Sequence, residues 1–79
     1  FRESLLNQLP QLPPRVQIRF VSEPFTADYP WASTFITRLL YKNPDIVVVS
    51  PMNEQTRNFP ASNDFASFQW QAGKLQRIK

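Results

Sequence analysis

A short segment in the middle of the chain, residues 35–49, changes its hydrophobic period at a single corner. Its first part places Phe35, Leu39 and Leu40 at helical spacing. Asn43-Pro44 then predicts the end of that helix, because proline cannot continue the hydrogen-bonded ladder. The β-branched run Asp45–Val49 follows at once and predicts a buried strand. A helix, a corner and a strand in this order form half of a β-α-β unit, so an α/β fold is expected.

The other half of the unit lies before the helix, at Arg15–Ser22. Apolar and polar residues alternate there, which is typical of a strand with one buried face. The buried set is Val16, Ile18 and Phe20, and the opposite set is Gln17 and Arg19. Short links on both sides of the helix predict two parallel strands joined by a right-handed crossover. The uninterrupted apolar run of the second strand predicts a central position in the sheet.

The helix between these strands is expected to start at Asp28-Tyr29-Pro30-Trp31, since proline is tolerated in a first turn and Asp28 or Tyr29 would cap it. Side chains four residues apart predict the stripe that faces the core: Trp31, Phe35 and Leu39, widened by Ile36 and Leu40. The side chains left for solvent or a partner are Ser33, Thr37, Arg38 and Lys42.

The end of the chain predicts a β-hairpin, with arms at Phe65–Gln71 and Lys74–Lys79. The Ala72-Gly73 pair between them suits a tight turn, because glycine readily takes a positive φ. Ala66, Phe68 and Trp70 share one face and should pack toward the helix. The last arm is polar and charged, which favours an edge strand.

The remaining segments flank this core. Residues 1–14 are expected to form a short helix at Glu3–Leu9, which covers part of the second sheet face, and then an extended, proline-rich arm. Pro51–Asp64 is polar and aperiodic, so it is either a binding segment or disordered. The whole chain, residues 1–79, is therefore expected to be one small α/β domain, with residues 15–79 as its core, a mixed sheet and one main helix.

Composition argues against several kinds of chemistry. The chain has 79 residues, no His, no Cys and one Gly. Thiolate metal sites, disulfides, histidine bases and glycine-rich phosphate loops are thereby excluded. Capping and turn roles account for Asp28, Asp45 and Asp64. We therefore expect no catalytic residue, no metal, no cofactor and no small-molecule substrate, and no apolar run is long enough to span a membrane.

Charge and aromatic residues suggest how such a domain is used. The nine Lys and Arg outnumber the six Asp and Glu, a net charge of +3. This balance weakly favours an anionic partner over a merely solvated surface, and both readings stay open. Two loop aromatics, Phe25 and Phe59, are candidate protein contacts, the alternative being that they fold back onto the core. The candidate phosphate-binding residues are Arg15, Arg19, Arg38, Lys42, Arg57, Lys74, Arg77 and Lys79.

The corner Tyr41-Lys42-Asn43-Pro44 carries a resemblance to a known family. Together with the strand Val16–Val21, the helix around Phe35 and the closing hairpin Phe65–Ile78, it resembles the thioredoxin-like domain of certain mitochondrial ribosomal proteins. The same domain occurs in a small accessory subunit of respiratory complex I. The resemblance covers residues 15–79, and the corner is most similar to that of the ribosomal members.

The resemblance implies a non-catalytic constituent of the mitochondrial ribosome in the mitochondrial matrix. Ribosomal RNA and neighbouring mitoribosomal proteins would then hold the domain in place, and its basic residues would neutralise phosphates without reading bases. A thioredoxin-like topology does not imply redox activity here, since the chain has no cysteine. The alternative is a protein-interaction subunit of respiratory complex I.

Overall fold

The computed structural model describes residues 1–25, 29, 31–56 and 58–79. Its sheet has four strands, β1 (Gln17–Phe20), β2 (Val47–Val49), β3 (Asp64–Gln71) and β4 (Lys74–Arg77). Their order in the sheet is β2-β1-β3-β4, with β1 parallel to both β2 and β3, and β4 antiparallel to β3. The predicted α/β fold, with a β-α-β unit, a mixed sheet and a C-terminal hairpin, is confirmed. In chain order the elements are α1 (Arg2–Gln8), β1 (Gln17–Phe20), α2 (Ala32–Leu40), β2 (Val47–Val49), a 3₁₀ turn (Ala61–Asn63), β3 (Asp64–Gln71) and β4 (Lys74–Arg77).

One face of the sheet carries the hydrophobic core. Ile18 of β1 lies opposite Val48 of β2 and Ala66 of β3, so these three side chains share this face. Leu5 and Leu9 join the same buried cluster, and α1 also contacts α2. Both helices therefore cover one face of the sheet. The expectation that the N-terminal segment covers the opposite face is wrong, because its two leucines complete the core beneath the helices.

The opposite face is covered by the connection between β2 and β3. Gln17 and Arg19 point to this face, as their alternation with Ile18 requires. Gln17 Nε2 donates to the Pro60 carbonyl at 3.0 Å, and an Arg19 guanidinium NH donates to the Phe59 carbonyl at 2.6 Å. These bonds hold the 50–63 connection, so this part of the predicted loop is a structural cover.

Strand β2 lies at an edge of the sheet, not at its centre as predicted. The central strands are β1 and β3, and β1 is the alternating strand rather than the uninterrupted one. The β-branched run is nevertheless buried at Ile46, Val48 and Val49. Helix α2 contacts β2 and covers one of its faces.

Strand β4 forms the other edge, as predicted, and α1 blocks it. Gln8 Nε2 donates to the Leu75 carbonyl at 2.8 Å, and the Arg77 backbone N–H donates to Gln8 Oε1 at 2.9 Å. The side-chain amide of Gln8 thus forms hydrogen bonds with two backbone groups on the open edge of β4, so these groups are not available to pair with another strand. The hairpin turn has positive φ at both Ala72 (55°) and Gly73 (79°), the requirement of a type I′ turn.

Candidate docking surface on helix α2

The corner that ends α2 has a specific local geometry. The Asn43 N–H donates to the Arg38 carbonyl at 3.0 Å, and the Lys42 N–H donates to the Leu39 carbonyl at 3.2 Å. These two bonds, with Lys42 at a φ of 52°, form a Schellman motif, and Pro44 follows it as expected. The Asn43 side chain then accepts the Asp45 N–H at 2.9 Å and turns the chain toward β2. The corner therefore fixes where Arg38 and Lys42 lie.

The inner face of α2 consists of small side chains. Ala32, Ser33 and Thr37 are buried beneath the helix, and Ser33 and Thr37 have no exposed surface. Neither hydroxyl has a hydrogen-bond partner. A buried, unpaired hydroxyl is unfavourable, so the free energy gained by packing α2 against the sheet must exceed the free energy lost by burying these two hydroxyls. Small residues allow that packing.

The outer face of α2, defined by Trp31, Phe35 and Leu39, carries the large apolar side chains. They are 55%, 55% and 62% exposed, respectively. The prediction that Trp31, Phe35 and Leu39 face the core is wrong, as is the prediction that Ser33 and Thr37 are left for solvent. Leu40, which widened the same predicted stripe, does pack against the core. The fold buries the face of α2 that carries the small side chains, and the helix contacts β2.

The exposed aromatic rings are ordered among themselves. Tyr29 and Trp31 meet edge to face with centroids 6.0 Å apart, and Trp31 and Phe35 do the same at 5.9 Å. Such contacts restrict the rings without burying them. The outer face is thus a continuous apolar ridge in which Trp31 contacts Phe35.

An open groove of about 690 Å³ runs beside this ridge. The helix provides one wall, the corner at Asn43-Pro44 another, and Asn53 closes part of the rim. We call it the α2 groove. The residues that line it are Trp31, Thr34, Phe35, Arg38, Leu39, Lys42, Asn43, Pro44 and Asn53.

Two exposed cations, Arg38 and Lys42, line the α2 groove. Arg38 Nε donates to the Ile46 carbonyl at 2.9 Å, which holds the guanidinium against the rim while the residue stays exposed. Lys42 is exposed as well. The described lining residues of the groove contain no Asp or Glu. The described lining is therefore apolar, with positive charge at the C-terminal end of α2.

The other predicted phosphate-binding residues lie elsewhere. Lys74, Arg77 and Lys79 are exposed along or just after β4, at the sheet edge opposite β2. Arg15 is exposed just before β1. Arg57 lies outside the described residues, as do Asp28 and Pro30 of the predicted helix start. The basic residues thus form two separate groups, one beside α2 and one along β4.

Arg19 is held inside the protein by its neighbours. Its Nε is 2.7 Å from Asp64 Oδ2, and the side chains are 19% and 3% exposed, respectively. Gln17 Nε2 donates to the other oxygen of the same carboxylate at 2.7 Å. Because its guanidinium joins β1 to Asp64 of β3 and to the Phe59 carbonyl, Arg19 has a structural role in this fold.

The two predicted protein contacts differ in their surroundings. Phe25 packs against Phe1 with ring centroids 5.2 Å apart, so it folds back toward the core. Phe59 remains 39% exposed, and its carbonyl accepts from Arg19. Sequence reasoning missed the outer face of α2, although a signal was present. Ala32, Ser33, Thr37 and Leu40 fall on one helical face, so a second stripe, of three small side chains and one leucine, competed with Trp31, Phe35 and Leu39.

Tyr41 ties the end of α2 to the end of α1. Its hydroxyl donates to the Leu9 carbonyl at 2.7 Å. Burial raises the pKa of this hydroxyl to about 12, because desolvation disfavours the phenolate. The bond fixes the C-terminal end of α2 over the core and leaves the outer face turned away from it.

Within residues 1–25, 29, 31–56 and 58–79, no helix has the length and apolar character needed to cross a bilayer. In the same described residues, no three side chains of the His, Cys, Asp or Glu types come together as ligands for a metal ion. Comparison of the chain with models of protein families, with curated proteins and with solved structures finds no match.

Proposed function

We propose that this chain is a non-catalytic structural subunit of a larger assembly, which it joins through the outer face of α2. The observation that carries the proposal is the exposure of Trp31, Phe35 and Leu39, each more than half accessible on an ordered helix. A domain of this size has little apolar surface to spare, so large side chains outside its core favour a partner that covers them. Burial in an assembly would also stabilise a small fold.

The assembly we propose is the mitochondrial ribosome, in the mitochondrial matrix. The Tyr41-Lys42-Asn43-Pro44 corner and its resemblance to mitochondrial ribosomal proteins support this choice, together with the net charge of +3. The two surfaces of the domain would bind different partners. Lys74, Arg77 and Lys79 would contact ribosomal RNA phosphates, which position a protein without reading its sequence. The outer face of α2 would contact a neighbouring mitoribosomal protein.

Sedimentation of the tagged full-length protein tests this proposal. Mitochondrial lysate is run on a sucrose gradient with and without RNase. We expect migration with a ribosomal subunit, lost after RNase treatment. The Lys74→Glu/Arg77→Glu variant should leave the subunit at a lower salt concentration than the unmodified chain, because phosphate contacts weaken steeply with ionic strength. Migration as a free protein would overturn the proposal.

The second candidate is an accessory subunit of respiratory complex I that contacts protein alone. The apolar lining of the α2 groove favours it, since an apolar interface needs no RNA. In the same gradient this subunit would migrate with a membrane-bound complex, and neither RNase nor moderate salt would release it.

A further inference from the structure

We infer that the α2 groove receives an acidic, amphipathic α-helix from a neighbouring protein. This inference rests on the proposed function, because it names the chemistry of the partner that covers the same face. Three properties of the groove lead to it: the length of its ridge, its apolar lining and the sign of its rim.

The ridge has the dimensions of a helix-packing surface. Trp31, Phe35 and Leu39 are spaced four apart along α2. This spacing covers about 12 Å along the helix axis, or roughly two turns. A row of side chains four apart packs into the grooves of a second helix, and apolar residues at three- and four-residue spacing on the partner would fit beside it.

The lining of the α2 groove favours a protein partner over nucleic acid. Phe35, Leu39 and Pro44 contribute no hydrogen-bonding side chain to the groove. Nucleic-acid interfaces are more polar and more strongly charged than this surface. The apolar face of a partner helix would pack directly against this lining.

The rim selects the charge of the partner. Arg38 and Lys42 are exposed on the same side of the groove, and the described lining supplies no carboxylate to either. A second copy of this chain would bring two further cations and no carboxylate from its own described lining. Glu or Asp residues flanking the apolar stripe of the partner would complement the rim and steer association.

Photo-cross-linking from the ridge tests this inference in the assembly. A photoreactive amino acid replaces Leu39, whose side chain is exposed and outside the core. The full-length protein is cross-linked in mitochondria, and the attached peptide is sequenced by mass spectrometry. We expect a protein segment with apolar residues at three- and four-residue spacing and an excess of Asp and Glu. Attachment to RNA, lipid, a second copy or a segment without acidic residues overturns the inference, as does the absence of any cross-link.

A charge-reversal pair supplies the matched control. Lys42→Glu should lower the yield of that cross-link roughly fivefold, the size expected for loss of one exposed ion pair. Lys74→Glu makes the same charge change on the far edge of the sheet; it should lower the amount of protein bound to the assembly but leave the cross-link yield per bound molecule unchanged. Equal effects of the two variants would show that net charge, rather than the rim of the groove, governs binding, and would overturn the inference.

The gradient separates this inference from the proposed function. If the protein migrates with ribosomes while Leu39 cross-links to RNA, the proposed function stands and the inference fails. If the protein migrates outside ribosomes and Leu39 still cross-links to an acidic helix, the ribosomal proposal fails and the inference stands.

Discussion

The two faces of helix α2 differ in the opposite sense from most surface helices. The inner face buries Ser33 and Thr37 completely, whereas the outer face leaves Phe35 and Leu39 more than half exposed. Burial of a large apolar side chain is worth about 1.5–3 kcal/mol, so a fold that leaves them outside forgoes stability. This difference indicates that packing between α2 and the sheet determined which face of the helix is buried. The large side chains remain available for a partner.

The largest effect should come from enlarging the inner face. Ser33→Leu places a bulky side chain where none of the surface is exposed. Overpacking of this kind costs about 1–3 kcal/mol. Urea denaturation of the purified chain measures the change in the free energy of unfolding. A gain in stability would mean that Ser33 faces solvent, as the sequence pattern suggested. It would contradict the assignment of the inner and outer faces of α2.

The anchor at the end of the helix gives the next effect. Tyr41→Phe removes the hydrogen bond from the hydroxyl to the Leu9 carbonyl and should cost about 0.5–1.5 kcal/mol at neutral pH. Urea denaturation at pH 7 measures this loss. If the variant unfolds at the same urea concentration as the unmodified chain, the hydroxyl does not hold α2 over the core.

The same residue predicts a dependence on pH. Because burial raises the pKa of Tyr41 in the fold to about 12, the fold favours the neutral hydroxyl. This contribution is present in full below the unfolded pKa of about 10 and is lost as the pH rises toward about 12. The unmodified chain should therefore lose its advantage over Tyr41→Phe across that interval. Parallel urea curves at pH 9 and above check the trend, and a constant difference would contradict it.

A smaller gain should follow from removing an unpaired hydroxyl. Thr37→Val keeps the shape of the side chain and deletes the buried Oγ1, which has no hydrogen-bond partner. We expect the free energy of unfolding to rise by up to about 1 kcal/mol, since an unsatisfied polar group no longer has to be desolvated. Thermal unfolding followed by circular dichroism gives the comparison. A clear loss of stability would show that the hydroxyl is paired.

The smallest effect is expected on the outer face. Leu39→Ala should change the stability of the free protein by no more than about 0.5 kcal/mol, as is usual for exposed positions. If Leu39 belonged to the core, the same substitution would cost about 2–5 kcal/mol. The urea midpoint separates these two outcomes. In the assembly, by contrast, this variant should weaken association.

The sequence predicted the elements of this fold better than their surroundings. Alternation at Val16, Ile18 and Phe20 correctly identified β1, because a period of two allows one buried set. Ala72-Gly73 correctly identified the hairpin, since both positions need a positive φ. These signals are local, and each has one structural solution.

The orientation of α2 could not be predicted in the same way. Its sequence offers two stripes, and hydrophobicity favours the one with the larger side chains. The choice depends on the distance between the helix and β2, which is a tertiary quantity. The edge position of β2 was missed for a related reason, because a buried strand can be covered by a helix as well as by strands. The candidate site follows from that orientation, so it was missed as well.

The exposure of Trp31 tests the central claim most directly. In a Trp70→Phe variant, Trp31 is the remaining tryptophan, and acrylamide quenching reports its accessibility. The matched Trp31→Phe variant reports on Trp70, which packs against Phe1. Our account predicts that Trp31 in the folded protein is quenched nearly as efficiently as in urea, while Trp70 is protected. Strong protection of Trp31 in the folded chain would contradict the account, because it would place the aromatic stripe of α2 in the core.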